Sequence, residues 1–556
     1  MFIRSKKSGR YEYLQVVHNE RIDGKVKQHV IATLGRRDVL EASGQLDGLA
    51  SSCARFADHV AVLDAYRKDE QQPAETVRFG PPLVFGRLWK ELGIGDVLED
   101  LLCGRNFQFP VERAVFLTVL HRLFDPGSDR AAEVWAPHYG IRGTDQLKLH
   151  HLYRAMTWLG EPLPAREQGH GTPFAPRMVK DQIEEALFHR RRDLFSELSM
   201  VFFDTTSIYF CGEGGELLGE RGKSKDYRPD LKQMVVGAVL DQDGVPVCCE
   251  MWPGNTSDVT TLVPVIDRLR ARFGIGKVCV VSDRGMISKK TVRTIKEKRP
   301  GIRFILGARM RAVKEVREKV LSRPGRYREV YGPRQSSEDP APLKVKEVRV
   351  EDRRYIIAYN EERARRDRAT REAIVVSLRE KLSRGEKSLV GNKGYRKYVK
   401  STGEDHFEVD EKKMERERRY DGKWVLQTDM DLDAEQVALR YKDLWMVEDL
   451  FRSLKSVLST RPIYHSNSAA ICGHVFCSFL ALVLLQELLA RVEENGDSVE
   501  WERLKRQLDA LEHVTIRKGE KAFRIRTEVS GEAHKALKAA GVAPGPVVRV
   551  CSPRPE

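Results

Sequence analysis

Val201-Phe202-Phe203-Asp204-Thr205-Thr206 is an apolar β run that closes on an acid, and it leads into Ser207-Ile208-Tyr209-Phe210. The chain repeats the arrangement at Val278-Cys279-Val280-Val281-Ser282-Asp283-Arg284-Gly285. Short, unbroken runs of branched and aromatic residues read as strands buried on both faces, the kind found at the centre of an α/β sheet. A carboxylate leaving such a strand is held by rigid scaffold and sits at the strand's open end, where the active sites of open sheets gather.

The flanking sequence fills out the plan. Met234–Leu240 and Val245–Met251 are two further strands, joined by a hairpin turn at Asp241-Gln-Asp243-Gly244. A helix is expected from about Asp258 to Phe273, with Asp258 as its N-cap, and another from Lys289 to Lys298. A fifth strand starts near Arg303-Phe304-Ile305-Leu306. Three antiparallel strands followed by strand–helix alternation give an α/β fold class.

A third acid comes from a helix. In Tyr441-Lys-Asp-Leu-Trp445-Met-Val-Glu448-Asp-Leu-Phe451-Arg-Ser-Leu-Lys455, steps of three, four and seven residues put Tyr441, Trp445, Glu448, Arg452 and Lys455 on one stripe of a continuous helix. Leu444, Val447, Phe451, Leu454 and Leu458 form the opposite, buryable side. Asp449 lies about 100° away from Glu448 around the helix and leaves the shared face. Three carboxylates from two strands and one helix can bind two divalent ions roughly 3.5–4 Å apart, the arrangement used for in-line attack at phosphorus.

The trio Asp204, Asp283 and Glu448, with Tyr441, Glu448 and Lys455 in the spacing Tyr-x6-Glu-x6-Lys, resembles the DDE transposases of bacterial insertion sequences. The resemblance is to the insertion-sequence-four-like group with the Tyr-Arg-Glu-Lys signature, in its subgroup of roughly 550-residue proteins. It extends from Phe2-Ile3-Arg4 to the apolar helix near residue 480. It includes Gly222-Lys-Ser224-Lys225-Asp226-Tyr-Arg228-Pro229-Asp230-Leu231 and Pro253-Gly254-Asn255-Thr256-Ser257-Asp258. The signature's Arg falls at Leu444 here, which leaves Arg440 or Arg452 to reach the same phosphate.

The resemblance implies an RNase H-like catalytic core interrupted by a β-rich insertion domain, with a small β unit and a helical region ahead of it. The divisions are a β-hairpin unit at 1–45, a helical DNA-end-binding region at 75–195, and the core's first part at 196–309. The insertion follows at 310–422, then the core's second part with the catalytic helix at 423–494. A tail with possible dimer contacts occupies 495–556. The implied activity is DNA strand cleavage and strand transfer with two Mg²⁺ ions, for which Mn²⁺ can substitute. The implied partners are double-stranded DNA (terminal inverted repeats and target) and a second copy of the chain on paired ends.

The whole-chain numbers agree. At 556 residues the chain exceeds what one core holds, about 250–300 residues. Lys plus Arg number 96 against 81 Asp plus Glu, a net charge of +15 that favours a polyanionic partner. Nine cysteines without a Cys-x2-Cys pair indicate neither structural zinc nor a secreted disulfide framework, but reduced thiols in a cytoplasm. The start, Met1-Phe2-Ile3-Arg4-Ser5-Lys6-Lys7, turns polar at once and reads as no signal peptide. The apolar run Val475–Leu485 is shorter than the ~20 residues needed to span a bilayer and reads as a buried helix.

Each site residue also has an ordinary reading. Asp204 and Asp283 are turn acids taken singly, and Glu448 alone would pair with Arg452 on a helix surface. Tyr441 and Lys455 would otherwise snorkel, but beside the acids they suit phosphates flanking the cut. Trp445 reads as core ahead of base stacking. Lys225 and Arg228 lie on a charged loop expected to face DNA near the acids, with Asp226 and Asp230 outside the ligand set. By resemblance to hairpin-forming transposases, Trp424 would hold a flipped base. His474 reads as structural. The alternatives are an RNase H-like nuclease without strand transfer and a non-catalytic DNA-binding derivative. A two-carboxylate carbohydrate hydrolase has no use for the Tyr-Glu-Lys stripe.

Overall fold

The computed structural model describes residues 2–22, 25–46, 49, 75–168, 176–191, 198–336, 339–383, 398–403, 406–518 and 521–551. The chain forms two compact units. The smaller comprises residues 1–80, 502–534 and 543–556, and the larger comprises 81–501 and 535–542.

The larger unit is organised by a nine-stranded sheet. Its strands are β1 (Met200–Tyr209), β2 (Gln233–Asp241), β3 (Pro246–Pro253), β4 (Val278–Ser282) and β5 (Ile302–Ala308), then β6 (Arg328–Tyr331), β7 (Leu343–Val350), β8 (Arg353–Tyr359) and β9 (Lys423–Thr428). Their order is β6-β7-β8-β9-β5-β4-β1-β2-β3. Only β1–β4 and β4–β5 pair in parallel. The β2–β3 turn forms as expected. Asp241 Oδ1 accepts from the amides of Asp243 and Val245, and Gly244 takes φ +80°, which a side chain would resist.

The alternation of each central strand fixes what covers it. Val201 and Phe203 of β1, Val278 and Val280 of β4, and Phe304 and Leu306 of β5 share a core with Leu262, Val265, Ile266 and Leu269 of the helix Asp258–Phe273. Every one of these is under 5 % exposed. The residues between them face the other side of the sheet.

Strands β6–β8, inside the stretch 310–422, extend the central sheet. Two findings differ from the sequence reading. The apolar run at 475–485 belongs to a 27-residue helix, Ser468–Glu494, which is long enough to cross a membrane. Its most apolar window is 89 % buried within the protein, where it packs on the helices Val111–Phe124 and Leu149–Leu159. The expected continuous helix is two, Ala434–Lys442 and Trp445–Ser456, separated at Asp443–Leu444.

In the smaller unit, Phe2–Ser8, Tyr11–Ile22 and Lys25–Arg36 make an antiparallel sheet. Residues 23 and 24, between the second and third of these strands, lie outside the described residues. A second sheet pairs Glu75–Arg78 with Glu512–Lys518, which pairs in turn with Lys521–Arg526.

Candidate active site

Phe203 and Ser282 are the last matched pair of the parallel β1–β4 ladder. Asp204 and Asp283 therefore follow at the same level on neighbouring segments roughly 4.8 Å apart. Asp283 lies just past β4, but β1 runs on to Tyr209, so Asp204 sits within its strand and not at the expected end. The Ser282 hydroxyl donates to the Phe203 carbonyl at 2.7 Å and holds that register. Arg309 supports the turn beyond, donating to the carbonyls of Arg284 and Gly285 at 2.9 Å each.

Asp204 is half-buried, and its carboxyl is pushed up to about 6. Burial is the largest cause; the Lys225 ammonium opposes it, while the charges of Asp283 and Asp258 push it further up. Asp258 is a member that sequence reasoning missed. The N-cap position falls to Ser257, and Asp258 is the first residue of its helix. Its side chain accepts from Thr205 Oγ1 at 2.8 Å and lies 3.6 Å from Lys225 Nζ. Lys225 Nζ in turn donates to the Thr205 carbonyl at 2.5 Å and to its hydroxyl at 3.0 Å.

Tyr441 reaches the pair from the other side. Its hydroxyl donates to Asp283 Oδ1 at 3.0 Å, and burial beside that carboxylate pushes the phenol far above its usual range. Gly307 of β5 makes this possible, since a Cβ there would stand 2.5 Å from the Tyr441 hydroxyl and 2.8 Å from the Arg284 amide. The hydroxyl expected to meet a phosphate is therefore engaged with an expected catalytic acid.

The helix break has a tertiary cause. Ala434–Lys442 packs on β4, β5, β7 and β8, whereas Trp445–Ser456 packs on β1 and β2. The sheet twists between those strands, so the helical axis shifts, and Leu444 N donates back to Tyr441 O at 3.2 Å in a tighter turn. The expected stripe is split accordingly. Trp445 is 60 % exposed, not core, because after the break it turns away from the sheet. Leu444, Val447, Phe451, Leu454 and Leu458 are all buried as expected, so Leu444 packs in the core. Arg440 lies 3.6 Å from Asp443, and Arg452 pairs with Asp449 at 2.8 Å, not with Glu448. Glu448 is exposed, and its side chain has no hydrogen bond or ion pair among the described residues. No three His, Cys, Asp or Glu side chains among the described residues are gathered closely enough to hold a metal ion.

Of the other expected residues, Lys455 donates to Asp226 Oδ1 at 2.8 Å, and burial lowers its ammonium while Asp226 opposes the shift. Arg228 forms a two-pronged pair with Asp230, at 3.0 and 2.8 Å. Trp424 lies on β9 opposite Ala358 with the Arg363 guanidinium 5.9 Å over its ring, and its described partners include no residue of the acid cluster. His474 is buried, its Nδ1 2.9 Å from Arg122 and its Nε2 3.2 Å from the Thr460 carbonyl.

Comparison with known proteins adds the lineage. The N-terminal domain of IS1634 family transposases matches residues 2–65. No curated protein matches the chain. Among solved structures, a piggyBac transposase synaptic complex with hairpin DNA is similar over 77 % of this chain and 79 % of that one, at 10 % identity and a TM-score of 0.38. The Transposase DDE domain matches residues 196–484, more than half of the chain and the stretch that carries Asp204, Asp283 and Glu448. The chain belongs to the DDE transposases of insertion sequences.

Proposed function

We propose that this transposase cuts and joins DNA at insertion-sequence ends with Asp204, Asp283 and Glu448 as its catalytic acids. The observation that carries the reading is the in-register Asp204–Asp283 pair where the parallel β1–β4 ladder ends, with more negative charge than Lys225 offsets. Such a donor set fits divalent cations. Asp204 and Asp283 would hold two Mg²⁺ ions (Mn²⁺ as substitute), and the unpartnered Glu448 would complete the set. Bound there, the metals supply an activated nucleophile and stabilise the leaving oxygen.

The chain's own groups do the rest. Tyr441 orients Asp283 through its hydroxyl, and Lys225 holds β1 beside Asp204 through Thr205. Lys455, Lys225, Arg228 and Arg452 supply positive charge for the phosphates flanking the cut, with Trp424 as a stacking surface away from the acids. The strand order β3-β2-β1-β4-β5, with its parallel pairs at β1–β4–β5, supports an RNase H-like plan in which 310–422 is the insertion. Cutting two ends in concert calls for two copies of the chain on double-stranded DNA, at the inverted repeats and the target, in the cytoplasm of a bacterium.

The test is strand cleavage of a plasmid carrying the element's ends, with Mg²⁺, by full-length protein. Asp204→Asn, Asp283→Asn and Glu448→Gln should each abolish cleavage and leave binding to the end DNA within about twofold. A variant that still cuts removes its residue from the site. Joining of a cut end to a target plasmid separates a transposase reaction from simple nuclease action.

A further inference from the structure

Next to the acids lies a cluster of charges that the reading above uses only in part. Asp226 follows Lys225 on the loop after β1, but its side chain points to other partners. Its Oδ1 accepts from Lys455, at the end of the helix Trp445–Ser456, and from Arg461 beyond that helix. Its Oδ2 is buried and has no partner among the described residues. Two cations therefore share one oxygen, and the cluster keeps a net charge of +1.

Arg461 is not a stray surface residue. The residue before a proline favours extended backbone, and Arg461 precedes Pro462. The chain then runs as a short extension of the sheet. Ile463 N donates to Tyr209 O at 3.3 Å, and Cys211 N donates to Ile463 O at 2.9 Å. This tie to the end of β1 sets the Arg461 guanidinium 5.7 Å over the Tyr209 ring. The Arg461 side chain is 26 % exposed and the Lys455 side chain 13 %, so both are reachable from solvent yet fixed. Donor capacity remains. An ammonium carries three N–H groups and a guanidinium five, and each of these two cations has a single ion-pair partner among the described residues.

Fixed cations with spare donors and a charge surplus of one suit a singly charged phosphodiester. We propose that Arg461 and Lys455 form a two-pronged clamp for one DNA backbone phosphate, held together by the Asp226 oxygen they share. The proposal rests on the DNA-cutting reading and adds Arg461 and Asp226 to it. The phosphate bridges the two cations on the side away from Asp226, and its contacts are sequence-independent.

The test reads binding alone, so that its failure is distinct from failure of the cleavage chemistry. Full-length protein binds a labelled 20-base-pair duplex of arbitrary sequence in EDTA, across a series of salt concentrations. Neutralising one phosphate contributes a slope of about 0.9 to the dependence of log affinity on log salt. The double variant Arg461→Gln/Lys455→Gln should lower the slope by about 0.9. A drop of about 1.8 would mean two separate phosphates and overturn the shared clamp; no drop would overturn the site. Arg461→Gln alone should weaken binding several-fold and Arg461→Lys should restore most of it. Wild-type affinity in Arg461→Gln, with an unchanged thermal midpoint, overturns the proposal. Should Arg461→Gln not fold, Asp226→Asn in the Lys455→Gln background serves instead. Freed from Asp226, Arg461 should there bind the duplex more tightly than in Lys455→Gln alone, and unchanged binding counts against the clamp.

Discussion

Two groups of acids flank the central sheet, one where the helices Val179–Arg191 and Asp258–Phe273 meet β3 and one around Asp204, and they are treated oppositely. Asp181, Glu184, Glu185 and Glu250 are met by Arg177, Lys180, Arg268 and Arg272, four acids against four cations. Arg272 alone reaches Glu184 at 2.6 Å, Glu185 at 2.8 Å and Glu250 at 3.3 Å. Around Asp204, Asp283 and Asp258 the charge is not balanced, with Lys225 the cation that bears on Asp204. Burial is deeper in the first group, where Arg272, Glu184 and Glu250 are at most 2 % exposed. Balanced charge in a dry site holds helix to strand. Unbalanced charge at a strand end is a standing demand for a cation from outside.

The sharpest break of this comparison is Asp283→Asn. It should abolish cleavage, a loss of at least about 10³-fold or several kcal/mol of barrier, and leave the urea midpoint of unfolding nearly unchanged. A large loss of stability would place Asp283 with the balanced group. Conversely, Arg272→Met strips the cation from the buried Asp181, Glu184 and Glu250 and the half-buried Glu185, and should cost about 3–5 kcal/mol of stability, seen in the same denaturation measurement. A midpoint close to wild type would show that the network does not hold the helices to β3.

A smaller effect is expected from Gly307→Ala. The added methyl meets the Tyr441 hydroxyl and the Arg284 backbone, so the cost is about 1–3 kcal/mol, with cleavage reduced on the order of tenfold as Asp283 loses its orienting contact. Tyr441→Phe keeps the packing and loses only the hydrogen bond, so it should be the milder of the two. If it is the more severe, the hydroxyl does more than orient.

The smallest effect is on acid sensitivity. Burial alone would raise Asp181, but Arg272 and Lys180 outweigh it and hold the carboxyl below its usual 3.8. A depressed folded value means that the stabilisation is present above about 3.8 and is lost as the pH falls below it, roughly 1 kcal/mol by pH 3 from this group. Urea midpoints at pH 6 and pH 3 should differ less in Asp181→Asn than in wild type.

Much of this was written in local pattern. The runs ending at Asp204 and Asp283 are strands because they are branched, aromatic and uninterrupted, and the Asp241–Gly244 turn carries its own chemistry. The face Leu444, Val447, Phe451, Leu454 and Leu458 is buried as its spacing requires. What was not legible depends on partners distant in sequence. The apolar stripe runs straight through Asp443–Leu444, so periodicity cannot register that the two halves pack on different strands. Nothing near Tyr441 announces Gly307, and nothing near Asp226 announces Arg461. The alternation of β7 and β8 says which face is apolar, but not that the strands join the central sheet.

The second sheet of the smaller unit joins segments from far apart in the sequence, since Glu75–Arg78 takes its partner from Glu512–Lys518. During synthesis, the whole nine-stranded sheet emerges from the ribosome before that partner exists. A message broken or frameshifted near codon 505 would yield the acids and their scaffold but leave an unzipped edge at residue 75. Completion of the smaller unit thus reports that translation has reached the last tenth of the chain.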